Sequence, residues 1–203
     1  LASIVVSAEG QDLRLVASNV LGELHAISLP AIPSFLTAIK SREKATDYDS
    51  ERWAFIRDLV SIGIPESDKA ALSLDIDRFG QRIAVLAILH QRKALFDGLV
   101  DRKPSLINEF DALSKTLLHR AASLGRIEFV RALLAKGANP NAHKNRFGTP
   151  LNDAAVADEA EAIKVLLEAG ADASIGSMDG TPLERARKYK NLKAVEVLEA
   201  KGK

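Results

Sequence analysis

The residues that could do chemistry in this chain are few and poorly spaced for it. Four histidines, His25, His90, His119 and His143, fall at intervals that match no metal-ligand pattern. Ser41-Arg42-Glu43-Lys44 satisfies S-x-x-K, but no K-T-G or S-D-N element accompanies it, so no acylating serine is assigned. Asp75-Ile76-Asp77 could hold a divalent cation through paired carboxylates. Alternating Leu72, Leu74 and Ile76 instead describe a plain amphipathic or loop segment. Neither a phosphate-cradling glycine loop nor G-x-S-x-G occurs. There is no cysteine, which removes disulfides, thiolate nucleophiles and cysteine-ligated zinc. No catalytic, metal or cofactor residue is assigned, and the shortage of chemistry points to a protein that works by binding rather than as an enzyme.

Charge narrows the partner. A net charge of +1 gives no bulk electrostatic case for nucleic acid. Locally, Arg185, Arg187, Lys188, Lys190 and Lys193 crowd together, whereas Asp153, Asp158, Glu159 and Glu161 precede them. A basic end of this kind could dock an acidic protein surface. The simpler reading is a solvated face that keeps the end of the fold soluble.

The elements that must position these residues announce themselves by repetition. Thr116-Leu117-Leu118-His119-Arg120-Ala121-Ala122 returns 33 residues later as Thr149-Pro150-Leu151-Asn152-Asp153-Ala154-Ala155. It fades 32 residues further on into Thr181-Pro182-Leu183-Glu184-Arg185-Ala186. Leu133-Leu134-Ala135-Lys136-Gly137-Ala138-Asn139 is answered by Leu166-Leu167-Glu168-Ala169-Gly170-Ala171-Asp172. A fixed period of this size means stacked repeats. Thr149 and Thr181 can cap a helix through their hydroxyls, and Pro150 and Pro182 follow at the first helical position, where no N–H is needed. Leu118, Leu151 and Leu183 then point into the stack, and the alanine pairs keep this helix thin. Phe129, Val130, Leu133 and Leu134 mark a second amphipathic helix, repeated by Ile163, Leu166 and Leu167. Gly137 and Gly170 end it in the left-handed conformation, with Asn139-Pro140-Asn141 or Asp172 as turn formers.

These residues resemble the ankyrin repeat, whose signature is T-P-L-H-x-A followed by a second helix ending L-L-x-x-G-A-D/N. The resemblance covers residues 111–203 and implies an all-α solenoid. Departures are visible: Leu117 replaces the proline, and the histidine survives only as His119, becoming Asn152 and Glu184. His119 is thereby expected to bond the backbone of a neighbouring turn. The interhelical glycine is Gly125, then Asp158 and Lys190, and Glu199 stands where earlier copies have leucine. That charge reads as a terminal cap.

Upstream, Ala87-Ile88-Leu89-His90 and Ala94-Leu95-Phe96-Asp97-Gly98-Leu99-Val100 can be laid over Ala121 onward at an offset of 34, with Leu106-Ile107-Asn108 as the loop leading to Asp111. Trp53 to Pro65 reads as an outer helix and residues 33–39 as its inner partner. The chain is thus divided into 1–28, a cap segment; 29–110, degenerate ankyrin-like helical repeats or a separate small helical domain; and 111–203, three ankyrin repeats, about five helix-turn-helix units in all. Residues 1–28 fit a short hairpin or a helix over 12–24, and Val6-Ser7-Ala8 also has the spacing a signal peptidase accepts. A structured cap is preferred. Hydrophobic residues make up 47% and aromatic residues 5% of the sequence, which suits an alanine- and leucine-built helical stack. No apolar run reaches membrane-spanning length. A cytoplasmic monomer is the expectation, with export or a periplasmic location left open.

The resemblance implies capture of another protein through loop tips and the concave side of the inner helices. Carried over, the helix positions are Arg120, Ser123 and Leu124, then Asp153, Val156 and Ala157, then Arg185, Lys188 and Tyr189. The loop tips offer Ala112, Leu113, His143, Lys144, Asn145, Arg146, Phe147, Ser177 and Met178. Phe147 and Tyr189 are the preferred hot spots, although Phe147 could instead fold under its own loop. Arg146 could anchor a carboxylate. The same surface would serve a bacterial effector or a toxin-immunity protein. The competing class is a targeting or regulatory module attached to a catalytic region within 1–110, with Asp75, Asp77 and His90 lining its pocket.

Overall fold

The computed structural model describes residues 60, 71–72, 76–144 and 147–201. Contacts divide the chain into two compact units, Leu1–Phe79 and Gly80–Lys203. In the first, Val60 and Ala71 are helical and fully buried. The expected cap over 1–28, the inner helix over 33–39, the S-x-x-K at 41–44, nearly all of the helix over 53–65, and Asp75 lie outside the described residues.

From Ile76 onward the described α-helices come in successive pairs. The first is α1 (Ile76–Leu89) and α2 (Lys93–Arg102). The second is α3 (Leu117–Ser123) and α4 (Ile127–Ala135). The third is α5 (Pro150–Val156) and α6 (Ala160–Glu168), and the fourth is α7 (Pro182–Tyr189) and α8 (Leu192–Lys201). Helices α3, α5 and α7 pack in that order, as do α4, α6 and α8. Among the described residues no strand forms; only isolated bridges join Lys144 to Phe147 and Ser177 to Gly180.

Sequence accounts for each helix start. Thr149 Oγ1 accepts from the Asn152 amide at 3.4 Å, and Thr181 Oγ1 from the Glu184 amide at 3.3 Å. Glu184 Oε2 returns the favour by accepting from the Thr181 amide at 2.8 Å, so the two satisfy each other's free backbone groups. Pro150 and Pro182 occupy the first helical position. Leu118 and Leu151 are fully buried, each worth roughly 1.5–3 kcal/mol of burial. Leu183 departs from expectation and is only half-buried, because α7 packs on α5 with no described inner helix beyond it.

One turn recurs in all four pairs. The amides of Arg92, Arg126, Glu159 and Asn191 donate back to the carbonyls of Ala87, Ala121, Ala154 and Ala186, at 2.7, 2.9, 3.0 and 2.9 Å. All four alanines are fully buried. The residue before each donor, Gln91, Gly125, Asp158 or Lys190, is left-handed, with φ between 55° and 61°. A side chain there costs roughly 1–2 kcal/mol. At Asp158 the carboxylate offsets this by accepting from the Ala194 amide of α8 at 2.9 Å.

The outer helices α4 and α6 close on Gly137 and Gly170, both at φ 87°, with Ala138 and Ala171 amides returning to Leu133 and Leu166. The first pair exits differently. Where an open loop was expected at 106–108, Pro104–Ile107 winds into a 3-10 turn that buries Leu106 and Ile107. Proline at its first position and two apolar side chains facing the stack favour that winding. The Phe96 ring meets Phe129 edge to face at 5.2 Å, joining α2 to α4.

Asparagine rungs tie successive exit loops. Asn108 donates from Nδ2 to the Gly137 carbonyl at 3.1 Å and accepts from the Asn139 amide at 3.0 Å. Asn141, 33 residues on, does the same with Gly170 at 3.1 Å and Asp172 at 2.7 Å. Replacing Asn108 or Asn141 by alanine removes two such bonds and is expected to lower unfolding free energy by about 1–2 kcal/mol in urea titration. A silent Asn108→Ala would show that the 104–109 turn is not tied into the stack.

Candidate functional site

Three loops precede the inner helices α3, α5 and α7 and present their tips to solvent. The first is shaped by Asp111, whose Oδ1 accepts from the Leu113 and Lys115 amides at 2.8 and 2.9 Å. The second is closed by the Lys144–Phe147 bridge and the third by Ser177–Gly180. A large apolar side chain is exposed on each: Leu113 at 65%, Phe147 at 50% and Met178 at 70%. Phe147 therefore does not fold under its own loop. Ala112, His143 and Lys144 are also exposed, His143 Nδ1 lying 2.9 Å from the Asn141 carbonyl, while Ser177 is half-buried in its bridge. Asn145 and Arg146 lie outside the described residues.

On the inner helices, Leu124, Ala157, Lys188 and Tyr189 are exposed, and Ser123, Val156, Arg120, Asp153 and Arg185 are half-buried. The Lys188 ammonium also sits 5.8 Å from the Tyr189 ring centroid. Three of the four charged members, Arg120, Asp153 and Lys188, are already engaged by loop residues that sequence reasoning missed. Arg120 donates from Nη2 and Nε to Asp111 Oδ2 at 2.6 and 3.2 Å. Lys115 Nζ reaches both oxygens of Asp153, in the next unit, at 2.7 and 2.6 Å. Lys188 Nζ donates to Asp179 at 3.0 Å. Burial acts to raise the Asp111 pKa, but the hydrogen bonds from Arg120, Lys115 and Leu113 and the guanidinium charge outweigh it and hold the carboxyl below its ordinary value. The hydrogen bond from Lys188, with its charge, lowers Asp179 likewise. Asp111 and Asp179 carried only the signal of turn-forming acids beside a helix start.

Of the singled-out basic residues, Arg187 pairs with Glu199 at 2.7 Å and Lys188 with Asp179, while Lys190 and Lys193 are exposed. Among the described residues no cluster of histidines and acids could hold a metal ion, and Asp77 and His90 are exposed.

Beneath this face runs a buried polar seam. Thr116 N–H donates to His119 Nδ1 at 3.1 Å, which leaves Nε2 to donate to the Gly148 carbonyl of the next loop at 3.0 Å. The expected bond to a neighbouring turn is present. Asn152 takes the same place one unit on and donates from Nδ2 to the Ile175 carbonyl at 2.9 Å. Burial is the main reason that the His119 pKa is pushed down to about 4. The Asp153 charge and the Gly148 bond oppose the shift, and Lys115 and Arg120 reinforce it.

With this geometry in view, residues 118–203 match the family model described as ankyrin repeats, three copies. The chain is 31% identical over 100 residues to an ankyrin repeat protein of Fowlpox virus (strain NVSL), covering 48% of this chain and 22% of that one. It is 30% identical over 90 residues to ankyrin repeat and SOCS box protein 11 of Pongo abelii, covering 44% and 28%. To the transient receptor potential cation channel subfamily A member 1 of Homo sapiens it is 34% identical over 104 residues, covering 50% and 9%. The matched stretch spans less than a third of the length of each of these relatives. The segment from Leu118 is built of ankyrin repeats, in general a protein–protein interaction module and a non-catalytic scaffold. No helix among the described residues is long and apolar enough to cross a membrane.

The histidine seam has a pH signature. Its folded pKa lies below 6.5, so between 6.5 and about 4 the unfolded chain binds a proton that the folded chain refuses. Stability from this group is complete above pH 6.5 and is lost as pH falls to 4, by about 3 kcal/mol. Urea midpoints measured across that range should fall for the wild type and stay flatter for His119→Asn, the residue that Asn152 shows the site accepts.

Proposed function

We propose that this chain is a scaffold that captures another protein across its three loop tips and the adjoining exposed face of α3, α5 and α7. The observation that carries the reading is the exposed apolar side chain on each of three successive loops, Leu113, Phe147 and Met178. Exposed large apolar groups at repeating positions are what a partner-binding rim supplies. The ion pairs beneath them support the same reading, since Asp111, Lys115 and Asp179 hold Arg120, Asp153 and Lys188 in fixed places and so reduce the ordering cost of docking. The helix pair over 76–102 extends the stack as a further unit upstream of the matched repeats; its turn bond to Ala87 and the Asn108 rung support that extent.

The test is affinity capture from the native host with the intact chain against the triple variant Leu113→Ala, Phe147→Ala, Met178→Ala. The side chains are solvent-facing, so helicity and thermal midpoint should be unchanged while a specifically retained protein is lost. Undiminished capture of that protein by the triple variant removes this face as the site.

A further inference from the structure

Arg120, Asp153 and Arg185 are each the fourth residue of an inner helix, so they form one column along the docking face. The first two are neutralised from within, Arg120 by Asp111 and Asp153 by Lys115. Arg185 is not. Its side chain makes no hydrogen bond or close ion pair with any described residue, although its charge helps to lower the Asp179 pKa, and its Nε is buried without an acceptor. Arg126 also has a buried unpaired Nε, but its Nη2 donates to the Leu89 carbonyl at 3.3 Å. Asp179, the acid of the loop that precedes Arg185, is turned to Lys188. Burial of Nε holds the Arg185 side chain in place, and its terminal nitrogens, which have no acceptor among the described residues, suit a carboxylate supplied from outside.

The surroundings agree on the sign of that partner. Residues 181–201 hold six cations, Arg185, Arg187, Lys188, Lys190, Lys193 and Lys201, against three acids, Glu184, Glu196 and Glu199. Glu184 is taken by Thr181 and Glu199 by Arg187. Met178 and Tyr189, both exposed, add apolar surface beside Arg185 in sequence and on the same loop and helix. We infer that this end of the face receives an acidic, leucine- or aromatic-containing segment of a partner protein, with a partner carboxylate on Arg185. A nucleic acid fits less well. Its phosphates run on for many residues, whereas the preceding unit opposes them with Asp158, Glu159 and Glu161.

This inference rests on the scaffold reading, and its test is separate. The full chain is titrated, by fluorescence anisotropy, into a labelled peptide of glutamates around a central leucine, its glutamine counterpart, and single-stranded oligothymidylate. The glutamate peptide should bind in preference to both, and Arg185→Gln should weaken it by roughly tenfold or more. Asp179→Asn, which frees Lys188, should strengthen it roughly twofold to fivefold, a gain that a misfolded variant could not give. Binding that ignores both substitutions, or tighter Arg185-dependent binding of oligothymidylate, overturns the inference. No glutamate-peptide binding, with host-protein capture still lost in the loop-tip triple variant, overturns the acidic partner and leaves the scaffold standing.

Discussion

Four times in this structure a backbone amide turns back to the carbonyl of a buried alanine, and the rest of the stack depends on that bond. It sets the angle at which each outer helix leaves its inner helix. Because the accepting residue is alanine at Ala87, Ala121, Ala154 and Ala186, nothing larger than a methyl group stands at the bend. Thin inner helices can therefore approach one another, and the loops that precede them are brought into line. The exposed residues at Leu113, Phe147 and Met178 are a rim only because three such bends are alike.

The polar position one turn into each inner helix shows how the pairs are joined. His119 and Asn152 each carry a donor that reaches a carbonyl in the following loop. The Glu184 side chain carries acceptors only, and its Oε2 accepts from both the amide and the hydroxyl of Thr181. The three residue types look like drift in sequence. In space they are two forward links and one local cap, which a change of side-chain donor capacity explains.

The parts of the fold legible in sequence were those made by one residue acting on its near neighbours. Thr149, Pro150, Thr181 and Pro182 start helices by local capping, and Gly137 and Gly170 stop them by local dihedral freedom. The parts that were illegible join residues about thirty apart. Nothing near Asn108 or Asn141 says that they will clamp the next loop, and nothing near Lys115 says that its partner is Asp153. Asp158 and Lys190 read as losses of the family glycine, yet both keep the left-handed bend, and Asp158 uses its side chain to cap α8. For the candidate face, positions could be carried over from the repeat, but its charge state could not. That state is decided by which loop acid swings to which helix cation, a matter of stacking geometry rather than spacing.

The asparagine rungs have a consequence for the last pair of helices. Asn108 and Asn141 each bind a loop ahead, but the next place in that series is Ser174, whose amide and hydroxyl both turn back to Asp172. At the opposite margin the same pair is held firmly, by Asn191 on the Ala155 and Val156 carbonyls and by Asp158 on Ala194. Three side-chain hydrogen bonds thus fasten α7 and α8 to the third pair at the bend between them. Arg185 lies on the helix that this bend closes, so the same three bonds set its place on the inner face.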